Sequence, residues 1–198
     1  QRGAAAATVD YRLSHGPGLV HPVHAEDVAA ALGWLVARAP KYGYNPRKVV
    51  VVGHSAGAHI AAILATSPRL FNVAGKPEGF VGLEGIYDLP TLAARWPTYP
   101  QWFLNAAFGA DRRGWESASP THRPVVARSP WLIVHQRGDE LVDVAQSDLF
   151  SRHLREAGVR ITDLRPDGGS HDGAMEALAI PGNGVVRLIF RMIQDERK

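Results

Sequence analysis

The chain contains no cysteine. That excludes disulfides, thiolate metal sites and a cysteine nucleophile, and leaves the compartment open, with the cytoplasm as the default expectation. No apolar run approaches the roughly 18 residues of a helical membrane span. The opening QRGAAAATVDYRL lacks the long apolar region and cleavage site of a secretory signal. Basic charge is not concentrated: 22 Lys and Arg are scattered among 19 Asp and Glu, and the formal charge is only +3, so there is no basic stripe for nucleic acid. The nine histidines form no tight ligand cluster, and neither a metal nor an organic cofactor is implied. There is no internal repeat and no domain linker. What remains is a chain of 198 residues, 45% apolar, long enough for one sizeable core and read as a single domain over 1–198.

Apolar runs alternate with helical periodicity along this chain. Ala4 to Val9 reads as a short strand left through Asp10-Tyr11-Arg12-Leu13. A Gly- and Pro-rich loop follows. Residues 24–39, HAEDVAAALGWLVARA, repeat apolar positions at helical spacing with Glu26 and Asp27 in the first turn, and Pro40 is expected to stop the helix. Residues 48–52, Lys48 and then four valines, read as a strand, and helical spacing starts at Ser55. Further strands are expected at 80–83, 131–135 and 159–164, and helices at 144–157 and 183–196. Apolar strands alternating with helices predict an α/β fold, a mostly parallel sheet covered on both faces. Residues 91–129, with Trp96, Trp102 and Trp115, are too long for a plain connection and read as a cap-like insertion over one rim, with a short helix around 101–108.

The stretch VVVVGHSAGAHIAAILA, 49–65, carries the chemistry. A serine hydroxyl is a poor nucleophile unless a base, an orienting acid and oxyanion donors surround it. A sharp turn from strand to helix lifts the serine above the sheet, glycines on either side avoid collisions, and the helix N-terminus aims N–H groups at developing negative charge. Gly53, Ser55, Gly57 and the helix behind them fit each requirement, so Ser55 is the expected nucleophile and the backbone N–H of Ala56 one oxyanion donor.

In such architectures the acid and then the histidine follow the serine in the chain. Asp139 lies four residues past the WLIVH strand, on the rim where open sheets carry their sites. Asp143, placed to cap the next helix, and Glu140 are the rivals for the orienting role. His171, in GGSH, is the only histidine after the last strand and the expected base. His54 packs beside the elbow or shapes the pocket, and His59 is read as core or locally bonded. Trp96, Trp102 and Phe103 could wall the substrate pocket with His54, or simply anchor the insertion.

With these residues in view, the chain resembles the α/β-hydrolases, in the esterase and kynurenine-formamidase-like branch related to the hormone-sensitive lipase group. The matching pieces are VDYRL at 9–13, HAEDVAAALGWL at 24–35, GYNPRKVVVVGHSAGAHIAA at 43–62, GIYDL at 85–89, SPWLIVHQRGDELV at 129–142 and GGSH at 168–171. GIYDL, followed by a segment ending in Ser119-Pro120, leans toward the formamidase-like branch. Members of the group usually carry His-Gly-Gly before the Asp-Tyr-Arg-Leu strand, which supplies the second oxyanion donor, and further strands ahead of it. One of those strands normally lies between the VDYRL and VVVV strands. No His-Gly-Gly run precedes Ser55 here, and a missing donor costs about 3 kcal/mol of transition-state stabilisation. A gap in the sheet would leave strand edges unpaired in the core. The expectation is therefore an upstream segment, or a complementary chain, that completes the sheet.

The resemblance implies a serine hydrolase acting on a small-molecule acyl substrate. A carboxylic ester is the first expectation and an aryl formamide the second. A feruloyl or acetyl ester on a polysaccharide, and a non-catalytic binding role for the same scaffold, follow. The oligomeric state is left open.

Overall fold

The computed structural model describes residues 4–16 and 18–194. Its frame is a four-stranded parallel sheet in the order β1-β2-β3-β4, formed by β1 Val50–His54, β2 Gly79–Leu83, β3 Trp131–Val134 and β4 Ile161–Leu164. The strands run in chain order across the sheet, so each connection is a crossover that lays a helix on one face or the other.

Period-two alternation decides what each face buries. Phe80, Trp131 and Ile133 point into the larger core, against α1 (Val23–Tyr42), α2 (Ala56–Ala65), α3 (Pro68–Val73) and α7 (Ala145–Glu156). Val81, Leu83, Leu132 and Val134 point the other way, toward Ala174 of α8 (Gly173–Ala177) and Val185, Leu188 and Met192 of α9 (Gly184–Gln194). α2 runs through the middle of the larger core: its eight residues from Ala58 to Ala65 are all buried. That explains why this helix is apolar all round rather than striped.

The segment after β2 forms its own small core. α4 (Leu89–Arg95), a π-helix at Pro100–Leu104, α5 (Asn105–Phe108) and α6 (Trp115–Ala118) gather Leu89, Leu92, Tyr99, Leu104 and Trp115 around Val142. Asp88 fastens this segment to the frame. Its carboxylate caps α4 at the Thr91 amide (2.9 Å) and accepts from Thr121 Oγ1 (2.9 Å) and His122 Nε2 (2.8 Å). Gln146 of α7 accepts from the Tyr87 and Asp88 amides at 2.9 and 2.7 Å.

Two expectations change. Ala4 to Val9 is not a strand; Val9 and Tyr11 pack against the larger core without joining the sheet. Pro40 does not stop α1, which continues to Tyr42 and ends at Gly43 in the left-handed region (φ 73°). So near the C-terminus the proline forgoes only the bond its missing N–H would have made to Val36. Pro68 closely follows α2 and opens α3, at the N-terminal position where a missing N–H is harmless. The expected end of the last helix at Glu196 lies outside the described residues.

Candidate active site

β1 delivers the chain to Ser55, which sits between strand and α2 with φ 52° and ψ −115°. A residue with a Cβ enters that region only when its surroundings compel it. Here the Ser55 amide is tied to the Leu83 carbonyl at 2.9 Å, and the Ser55 carbonyl takes the Ala58 and His59 amides at 3.1 and 3.2 Å. The turn is held from both sides. α2 begins at Ala56, so the Ala56 and Gly57 N–H groups have no partner within the helix.

The two flanking glycines are not equivalent. A Cβ on Gly53 would lie 2.2 Å from the Gly57 carbonyl oxygen and 2.6 Å from the Ala58 nitrogen, whereas one on Gly57 would meet nothing within 4 Å. Only Gly53 is demanded by close approach. Gly53→Ala is expected to destabilise the fold by about 1–3 kcal/mol through backbone displacement. Gly57→Ala is expected to be neutral or stabilising by up to about 1 kcal/mol, because alanine is the better helix former. Urea-denaturation midpoints check this; equal losses for both variants would contradict it.

The loop after β3 carries Asp139 and the loop after β4 carries His171. His171 Nδ1 lies 2.8 Å from Asp139 Oδ2, and both side chains are almost fully buried. The same oxygen receives His135 Nε2 at 3.1 Å, while Asp139 Oδ1 accepts the Leu141 and Val142 amides, each at 2.9 Å. His135 is itself fixed, with Nε2 donating to the Val142 carbonyl at 2.9 Å and Nδ1 2.7 Å from the Ser147 hydroxyl. Burial alone would push the Asp139 carboxyl up. The bonds from His135, His171 and the two amides overrule it and hold the group far below the usual carboxylate range. Burial draws the His171 imidazole down, but the hydrogen bond and charge of Asp139, with the charges of Glu84 and Asp172, carry it above its ordinary value. An Nδ1–H given to Asp139 leaves the lone pair of neutral His171 on Nε2.

Asp143 has another occupation. It caps the start of α7 through the Ala145 amide at 2.8 Å and faces Arg95 at 3.3 Å. The carboxylate on the His171 imidazole is Asp139, not Glu140.

A cavity of about 160 Å³ opens beside Ala56. Phe103 lines it. Trp96 and Trp102 do not: Trp96 stacks on Tyr99 inside the small core, and Trp102 is 64% exposed. His54 lies elsewhere, turned to the His171 loop, with ring centroids 4.8 Å apart. The remaining wall includes Tyr11, His21, His24, His59 and Phe108, drawn from four separate stretches of chain. His59 Nδ1 donates to the Ile86 carbonyl at 3.2 Å. Burial lowers His21 to about 4 and His59 to about 3, so both are neutral near pH 7. No group of three or more His, Cys, Asp or Glu among the described residues could hold a metal ion.

A parallel sheet covered on both faces, with a serine elbow at the end of its first strand, defines the α/β-hydrolase fold. Residues 1–154 match the family model described as BD-FAE, and the chain belongs to that family. Among characterised relatives, it is 30% identical over 175 residues to a kynurenine formamidase of the yeast Meyerozyma guilliermondii, covering 83% of this chain and 64% of that enzyme. It is 29% identical over 161 residues to esterase LipQ of Mycobacterium tuberculosis, covering 76% of this chain and 38% of the esterase. Among solved structures, an acetyl ester-xyloside bifunctional hydrolase of Caldicellulosiruptor lactoaceticus superposes with a TM-score of 0.72 at 21% identity, covering 93% of this chain and 68% of that one. The chain thus spans under two thirds of the length of both of these sequence relatives.

Proposed function

We propose that the protein is a serine hydrolase that cleaves a small carboxylic ester through an acyl-enzyme on Ser55. The observation that carries the reading is the 2.8 Å bond between His171 and the buried Asp139, on the loops that follow β4 and β3, with Ser55 in a left-handed turn at the end of β1. His171 Nε2 accepts the Ser55 proton as the hydroxyl oxygen attacks the acyl carbonyl. Asp139 keeps the imidazole in the tautomer with Nδ1–H and stabilises the imidazolium that forms. The Ala56 N–H, at the start of α2, meets the oxyanion. His171 then returns the proton to the leaving group, and water activated by the same histidine releases the acid. The aromatic and neutral histidine walls of the cavity suit a compact acyl or aryl group.

A second reading is favoured by the kinship with kynurenine formamidase. The same three residues would cleave an aryl formamide. Turnover of p-nitrophenyl acetate and N-formylkynurenine, compared as kcat/KM, separates the two. The ester is expected to be preferred by roughly tenfold or more. The opposite preference would replace the ester reading with the formamidase one. Turnover of neither, with no labelling by a fluorophosphonate, would end the hydrolase reading.

A further inference from the structure

The mechanism leaves one buried ionisable side chain without a part. Glu84 ends the turn off β2 with no solvent exposure, and its φ of 45° lies in the left-handed region. A glutamate there is both desolvated and conformationally unfavourable, a combination kept where the surroundings over-determine the position. Its Oε1 accepts the Ala174 amide at 3.2 Å, and the Gln136 amide also bonds to the carboxyl. Among the described residues its Oε2 has no hydrogen-bond partner, and it stands 3.6 Å from His54 Nε2. That same nitrogen donates to the His171 carbonyl at 2.8 Å.

These contacts form a frame. His54, the residue directly before Ser55, grips the loop at His171. Glu84 grips it at Ala174, three residues on. Two adjacent strands thereby hold both ends of the segment that presents the imidazole.

We propose that Glu84 and His54 are positioning residues for the catalytic histidine, tying the His171 loop to the Ser55 elbow and setting a second buried carboxylate behind the imidazolium that forms during acyl transfer. The inference rests on His171 as general base. The groups facing His171 are Asp139 from the loop after β3, Glu84 from the turn after β2, His54 from β1 and the neighbouring Asp172. Those facing Glu84 are His54, Asp139, His171 and Tyr87. Asp172 is 68% exposed, so solvent screens it; Glu84 is not screened in this way. Burial and the charge of Asp139 push the Glu84 carboxyl up to about 7, against the pull of the Ala174 and Gln136 amides and of His171. Above that pH the carboxylate is present. It stabilises charged His171 more than neutral His171, and the charged form is the one the transition state approaches.

The test is the pH dependence of kcat/KM on p-nitrophenyl acetate for wild type and Glu84→Gln. Activity requires neutral His171, so it falls as pH drops through the pKa of that residue. Removing the Glu84 charge lowers this pKa. The acid limb of Glu84→Gln is therefore expected about half a pH unit or more below that of wild type. Its kcat is expected to be down roughly 10- to 100-fold with KM within about twofold, because the imidazole is misplaced while the cavity is intact. An unmoved limb with unchanged kcat overturns the proposal. Should Glu84→Gln lose its fold by circular dichroism, His54→Ala carries the test: kcat is expected to fall by a similar factor, and a rate within about twofold of wild type overturns the proposal. Failure of the underlying assignment looks different. In that case wild type itself neither turns over the ester nor is labelled on Ser55 by a fluorophosphonate.

Discussion

Ser55→Ala is expected to lower kcat by roughly 10⁶-fold, the loss seen when a nucleophile acting as a unit with its base is removed. The fold is expected to survive. The strained turn is held by backbone bonds to Leu83, Ala58 and His59, none of which uses the hydroxyl. Alanine experiences the same left-handed backbone as serine, so stability should change by no more than about 0.5 kcal/mol. Ester turnover and a urea-denaturation curve on the same preparation make the comparison. A variant that keeps a tenth of the wild-type rate would remove Ser55 from the chemistry.

Asp139→Asn should cost roughly 10⁴-fold in kcat, and the reason is the number of donors around that carboxylate. His171 Nδ1, His135 Nε2 and the Leu141 and Val142 amides all point at its two oxygens. Asparagine offers one oxygen and an NH₂. If the oxygen serves the two amides, the NH₂ faces the two histidines, and His171 must turn Nδ1 into an acceptor and place its proton on Nε2. A base protonated where it should accept is no longer a base. If the oxygen serves the histidines instead, the Leu141 and Val142 amides meet a donor, at about 1–3 kcal/mol of stability for the more buried of the two. Asp143→Asn is the comparison. Its carboxylate caps α7 and faces Arg95, so its effect on kcat should stay within a few-fold. Rates measured side by side decide it, and a larger loss from Asp143→Asn would reassign the orienting role.

Much of the frame could be read from local pattern. The run of valines at 49–52 passes into Gly-His-Ser-Ala-Gly, and then into small apolar residues at helical spacing. Strand, turn and helix are each specified within a few residues of Ser55. The order of strands and helices likewise follows from alternating periodicity, although boundaries moved by up to three residues. The segment at 4–9 shows the limit of that approach. Its residues would suit a strand, yet a strand exists only when another strand pairs with it, and no local pattern supplies the partner. The aromatic cluster from Trp96 to Phe108 shows another limit. Composition indicates that rings gather there, but the π-helix decides that Phe103 faces the cavity and Trp102 faces solvent.

The sequence by itself determined the elbow at Ser55, the succession of an acidic and then a histidine-bearing loop after it, and a parallel sheet with helices on both faces. These depend on periodicity and on residue types that act over one or two turns of chain. Only the tertiary structure decided that Asp139 rather than Asp143 meets His171, that His135 shares that carboxylate, and that Glu84 and His54 brace the loop. Apart from the His135–Asp139 pair, four residues apart, these contacts join segments 30 to 120 residues apart, or choose between neighbours by where a loop bends. Burial and hydrogen-bond geometry are properties of the packed chain, and residue spacing along the sequence does not encode them.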